Sequence, residues 1–282
     1  MKGWMVAALC CLPLVLYAQK RAGCCAPSAP AEFAMLADDP AFVRAQEEPT
    51  PFHFVATRGQ MVTFPTADSL KGRGFDVRPL HDTQNLILLV HEWWGLNDYI
   101  RREAERLQKD LGDVRVLAVD LYDGKIATSR EQAAAFMGGA RDERVRAILK
   151  GAIAYAGKGA RIGTIGWCFG GGWSMQASLL AGPQAAACVL YYGMPVSDTA
   201  ALATLHAPVL GIFGTRDAWI TPAVVDTFAA AMKAAGKSLT VHEYDAEHAF
   251  ANPSNPKHDT KATGDAYQLT IRFFRTYLLP QP

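Results

Sequence analysis

Gly166-Trp167-Cys168-Phe169-Gly170-Gly171-Gly172 is the stretch on which the reading of this chain turns. It closes an apolar, strand-like run at 163–167 and opens a helical run at 171–180. A strand that becomes a helix through a reactive side chain flanked by glycines is a G-x-nucleophile-x-G elbow, here with cysteine at its apex. The apex side chain must project from a strained turn, and bulk at Gly166 or Gly170 would clash there. The helix start beneath the sulfur favours a thiolate and, later, an oxyanion. Two other readings share these glycines: a phosphate-cradling loop, and a structural turn around a buried cysteine. No Lys-Ser/Thr pair follows, which weighs against the phosphate loop.

Outward from the elbow, short β-rich runs alternate with amphipathic helical ones. The strand candidates are 59–64, 74–80, 86–91, 114–120, 163–167, 186–192, 209–214 and 239–244. The helical stretches are 98–111, 142–157, 171–180, 222–235 and 264–279. Runs such as Leu86-Ile87-Leu88-Leu89-Val90 are apolar throughout, as strands covered on both faces are. The alternation predicts an α/β fold: a mostly parallel eight-stranded sheet with helices on both faces, and an antiparallel hairpin from the first two strands at one edge. Functional residues are then expected beyond the carboxyl ends of the strands.

Two such residues follow the cysteine in order. Asp217 comes just after the run 209–214, and His248 just after the run 239–244. Nucleophile, acid and histidine, each at a strand end, make a triad: His248 takes the thiol proton and returns it to the leaving group, while Asp217 fixes the ring's tautomer. His206 and His242 are worse placed, one ahead of a strand and one within it. Backbone N–H groups of Phe169 and Trp93 are the expected oxyanion donors.

The segments His91-Glu92-Trp93-Trp94-Gly95, Asp120-Leu121-Tyr122, Arg130-Glu131-Gln132-Ala133, Tyr191-Tyr192-Gly193 and His248-Ala249-Phe250, with the cysteine elbow and Asp217, resemble the dienelactone hydrolase family. That family is a branch of the α/β-hydrolases which opens small enol-lactones with a cysteine nucleophile, and the resemblance runs over roughly residues 55–280. It implies a carboxylic ester hydrolase acting on a small ester or lactone, with no cofactor and no metal. It further implies that Glu92 holds the resting thiol and that Arg130 grips a substrate carboxylate. A salt bridge from Glu92 to Arg101 or Arg102, and a solvated Arg130, are the plainer alternatives. Trp94, Tyr122 and Asn252 complete the expected substrate contacts. Asn252 stands where the family carries a second arginine, which puts dienelactone itself in doubt as the substrate. A thioesterase or other acyl hydrolase on the same fold, or a non-catalytic binding protein, are the competing classes.

The remaining sequence sets the context. The chain has 282 residues, a formal net charge of +1 and 50% apolar residues, enough for one substantial core and no field favouring nucleic acid. Residues 3–17 form a short apolar run after Lys2, the pattern of an export signal over 1–23, with a periplasmic or secreted mature protein. A lipid on Cys24 is the alternative and would be the sole membrane link. Residues 24–52, rich in Ala and Pro, read as a linker, and 53–282 as the single folded domain, expected as a monomer. Of six cysteines, only Cys168 and Cys188 fall in that domain, so no disulfide framework is indicated.

Overall fold

A computed structural model describes residues 28–279; the export-signal and lipid-anchor readings of 1–24 lie outside the described residues. Eight strands form: β1 (Gly59–Pro65), β2 (Lys71–Val77), β3 (Asn85–Val90), β4 (Arg115–Asp120), β5 (Arg161–Trp167), β6 (Ala185–Tyr191), β7 (Val209–Gly214) and β8 (Leu239–Tyr244). They join in one sheet in the order β1-β2-β4-β3-β5-β6-β7-β8. β1 and β2 pair antiparallel, β2 meets β4 antiparallel, and every later pairing is parallel. Strands β3 and β7 are buried at each position, which is why residues 86–90 and 209–214 are apolar or glycine rather than alternating. Crossover helices supply the cover: α3 (Asp98–Leu111), α5 (Asp142–Ala156), α6 (Phe169–Ala181), α8 (Pro222–Ala234) and α9 (Thr260–Tyr277). Two shorter ones, α4 (Arg130–Gly138) and α7 (Thr199–Ala203), lie in the connections.

The register places the chemistry. Val90 pairs with Gly166, Trp167 with Tyr191, and Gly214 with Tyr244. The ends of β3, β5, β6, β7 and β8 therefore finish along one edge. Residues one to four positions beyond them, from Glu92 to His248, open onto the same crevice.

Two expectations move. The second strand runs from Lys71 to Val77 rather than over 74–80. A tight turn starts it early: the Thr66 N–H donates to the Leu70 carbonyl at 3.2 Å, Ser69 takes a positive φ of 65°, and Pro65 pairs with Lys71. Gly72 looks like a breaker but serves the sheet, because a Cβ there would lie 2.1 Å from the Phe64 ring. The helix after the elbow begins at Phe169, so all three glycines at 170–172 are helical.

The larger correction concerns the linker. Residues 29–45 are not a tether but a strap: α1 (Ala29–Ala34), a 3₁₀ turn (Met35–Asp38) and α2 (Pro40–Ala45). Ser28 and Asp39 cap the two helices, each with proline in its first positions. Phe33 and Phe42 are both 0% exposed and meet edge-to-face at 5.7 Å. Polar ties secure the ends, from the Ser28 hydroxyl to Asp142 and from the Thr50 N–H to the Ser254 carbonyl. Six-residue helices carry too little periodicity to be read from sequence, so the two phenylalanines gave no signal.

Removing one of the two anchors should unseat the strap and little else. Phe42→Ala is expected to weaken its docking by about 3–5 kcal/mol. Backbone amides of residues 29–46 should then exchange hydrogen roughly a hundredfold faster or more, while β3 and β5 keep their protection. Unchanged exchange in the strap would show that Phe42 does not hold it.

Candidate active site

Cys168 sits between β5 and α6 with φ 55° and ψ −123°, a conformation most side chains avoid. The neighbouring glycines permit it. A Cβ on Gly166 would lie 2.0 Å from the Gly170 carbonyl oxygen, and one on Gly170 would lie 2.3 Å from that of His91. The Cys168 N–H donates to the Tyr191 carbonyl at 3.0 Å, tying the elbow to the end of β6. Its sulfur lies 3.4 Å from His248 Nε2, and the Phe169 N–H points at it. Burial pushes the thiol upward, and the His248 charge opposes that push.

His248 Nδ1 lies 2.6 Å from one Asp217 oxygen, and the other oxygen accepts the N–H groups of Trp219 and Ile220 at 2.9 Å each. Burial works against ionisation of Asp217, but the ring and the two N–H donors outweigh it and hold the carboxyl below its ordinary value. For His248 burial pulls the other way, yet the charges of Asp217 and Cys168 prevail and carry it up to about 10. The imidazole is packed on several sides by rings of Tyr192, Trp219, Phe42 and Phe33. The strap thus lies directly over the histidine, and Cys168 is left 2% exposed.

Glu92 departs from the expected arrangement. The thiol's side-chain partner is His248 Nε2, whereas Glu92 accepts from the Tyr192 hydroxyl at 3.2 Å and the Asn252 amide at 2.5 Å. The ion-pair alternatives do not form either: Arg101 pairs with Asp98, and Arg102 stacks over Phe52 and Tyr99. Burial raises the Glu92 carboxyl to about 7, against the pull of His248, Tyr192 and Asn252. His91 sets the backbone here. Its Nε2 accepts the Leu121 N–H at 3.0 Å, so Nδ1 carries the proton and donates to the Glu92 carbonyl at 2.6 Å. Asn252 is oriented in turn by Ser254, whose N–H and hydroxyl both donate to its Oδ1. An amide in the place of a guanidinium therefore holds Glu92 without adding charge.

The other expected contacts divide. Trp94 is buried, packs on Trp93 at 5.0 Å, and lines a cavity of about 220 Å³ together with Glu92 and Asn252. The Trp93 indole meets Phe42 of the strap. Tyr122 packs against His91 and Phe169, with its hydroxyl buried and unpartnered. Arg130 does not reach the crevice. Its guanidinium donates to the Arg44 carbonyl at 3.2 Å and faces Glu48 at 3.9 Å, so it anchors the strap. Sequence reasoning missed His91, Tyr192, Phe33 and Phe42. Tyr192 entered the sequence reading only through the family-resembling segment 191–193; its backbone, at φ 36°, is as unusual as that of Cys168. Cys168 and Cys188 are free thiols. Among the described residues no group of His, Cys, Asp and Glu is arranged to hold a metal ion.

Comparison with known proteins bears on the family and the fold. The sequence model of the dienelactone hydrolase family matches residues 73–278. A Methylorubrum extorquens protein, named provisionally as a carboxymethylenebutenolidase, is 33% identical over 68% of this chain and 72% of its own. Carboxymethylenebutenolidase 1 of Cupriavidus pinatubonensis is 26% identical over 69% of this chain and 87% of its own. Among solved structures, the dienelactone hydrolase of Anabaena variabilis superposes with a TM-score of 0.59 at 22% identity, over 79% of this chain and all of its own. A dienelactone-hydrolase-like promiscuous phosphotriesterase from metagenomic libraries gives 0.68 at 17% identity over 79% of this chain. The structures share the α/β-hydrolase fold, and the sequence matches place the chain in the dienelactone hydrolase family.

Proposed function

We propose that the protein hydrolyses a small ester or lactone through a thioester on Cys168. The observation that carries this reading is the unbroken line from Cys168 Sγ to His248 at 3.4 Å and from His248 to Asp217 at 2.6 Å. His248 accepts the thiol proton as sulfur attacks the carbonyl carbon. The N–H groups of Phe169 and Trp93 receive the oxyanion. The intermediate collapses, the C–O bond to the alcohol breaks, and His248 returns its proton to the departing oxygen. A water, deprotonated by the same ring, then attacks the thioester; the acid leaves and the thiol reforms. In a lactone the alcohol stays joined to the acid, so one product results. Glu92, held by Tyr192 and Asn252, supplies a buried carboxyl near the thiol whose charge opposes thiolate formation.

The first test is hydrolysis of p-nitrophenyl acetate. Cys168→Ala should lower kcat/KM by about a thousandfold or more. A variant retaining a tenth of wild-type activity would remove Cys168 from the reaction.

The acid–base behaviour is also fixed in direction. Thiol and imidazole are both raised, so near neutral pH the pair holds the proton that the base form must lose. kcat/KM is expected to climb between pH 6 and 9; a flat or falling profile would contradict the assignment.

Glu92 gives a stability test. With its carboxyl raised from 4.5 to about 7, the folded protein binds a proton in that window which the unfolded chain has released. Stability therefore falls as pH rises through the window, by up to roughly 3 kcal/mol. Glu92→Gln should flatten this slope in denaturant titrations at pH 4.5 and 8, and equal slopes would count against the buried, raised carboxyl.

A further inference from the structure

Solvent barely reaches the three aligned side chains: Cys168 is 2% exposed, Asp217 3% and His248 7%. A molecule that reacts at the sulfur has to touch it, so part of the enclosure moves aside first. The floor is not that part. Cys168 stands between β5 and α6, and bare glycine backbone at 166 and 170 packs the elbow against the end of β3. The roof is a better candidate, because it is made by the strap.

The strap's grip on the site is aromatic. Phe33 stacks on the His248 ring at 6.0 Å, and Phe42 meets the rings of His248 at 6.0 Å, Trp219 at 5.1 Å and Trp93 at 5.5 Å. Such contacts are non-directional, so they part and re-form without unpairing a buried polar group. Helices of six residues do not hold their shape alone, and α1 and α2 are ordered by what they rest on. The charged ties at the strap's end are exposed and long, Arg130 to Glu48 at 3.9 Å and Lys257 to Glu47 at 3.6 Å. Surface pairs of this kind add little. Residues 47–50 carry neither helix nor strand, and Thr50 is tied to the Ser254 carbonyl. The strap therefore has a hinge at 47–49 and a fixed post just beyond it.

We propose that residues 29–45 are a gate: seated, they shut the thiol off, and Cys168 reacts only while Phe33 and Phe42 are lifted from His248. The gate governs access, and it stands or falls independently of what the thiol then does.

The fold offers a way to lock it. A Cβ on Gly138, at the end of α4, would lie 3.3 Å from the Ala37 Cβ in the middle of the strap, close to the spacing a disulfide bridges. Ala37→Cys/Gly138→Cys in the full chain, oxidised and then freed of oxidant, pins the strap in its seat; peptide mass reports the bridge. Alkylation of Cys168 by iodoacetamide, read on its own peptide, should slow by about tenfold or more in the bridged form and recover on reduction. Each single-cysteine variant should be indifferent to oxidation. Phe42→Ala, which loosens the strap, should be alkylated about tenfold faster than wild type. A bridged protein alkylated as fast as its reduced form, or a Phe42→Ala protein alkylated no faster than wild type, would make the strap a fixed wall and overturn the gate. Hydrolysis of p-nitrophenyl acetate separates the two readings. Turnover undiminished by the bridge sinks the gate and leaves the hydrolase; gated alkylation in a protein that cleaves no ester does the reverse.

Discussion

The close approach of α6 to the end of β3 is the constraint on which the site depends. A backbone carbonyl of His91 stands where a Cβ of residue 170 would be, and the Gly170 carbonyl stands where a Cβ of residue 166 would be. Only with both positions bare can the helix start this near the sheet and hold Cys168 at a positive φ. The same approach places the first N–H of the helix on the sulfur and brings the loop carrying Glu92 and Trp93 alongside. The strain in the elbow is balanced by its neighbours: Gly193 and Tyr191 pack against it from β6, and the parallel register fixes β6 in turn.

Around that elbow three ionisable groups share one dry space. Cys168, His248 and Glu92 are all buried: the thiol is shifted by both of the others, the imidazole by the thiol, and the carboxyl by the imidazole. Asp217 alone is firmly anionic, because two backbone N–H groups and the ring stabilise its charge at once. The asymmetry gives the imidazole its direction, with Asp217 at Nδ1 and the Cys168 sulfur at Nε2. Glu92 is kept close to the thiol but off it by Tyr192 and Asn252, so its proton influences the pair without blocking the sulfur.

Much of this was legible in the sequence. The elbow, Asp217 and His248 follow one another in the order and at the strand ends the fold demands, and local patterns suffice to find them. Glu92 was legible as a residue, but its partners were not. Tyr192 and Asn252 reach it from strand ends separated by 100 and 160 positions. Arg130 was misplaced because its sequence neighbourhood says nothing of Arg44 and Glu48, which turn it outward. The strap was missed for a related reason: alanine and proline set the average character of residues 29–45, while two phenylalanines set their fate. β2 slipped because Gly72 read as a break, when it leaves room for the Phe64 ring.

The strap also fixes an order of events during synthesis. Its residues leave the ribosome before any other part of the folded domain, yet Phe33 and Phe42 rest on Trp93, Trp219 and His248, the last more than 200 positions downstream. Contacts so distant in sequence form late, because the loop between them must close before they repay its entropy. The first-made of the described helices are therefore seated last, after β8 has delivered the histidine, and until then the nascent chain carries two bare phenylalanines. The crevice that will hold the thiol is roofed only when the rest of the chain has been made.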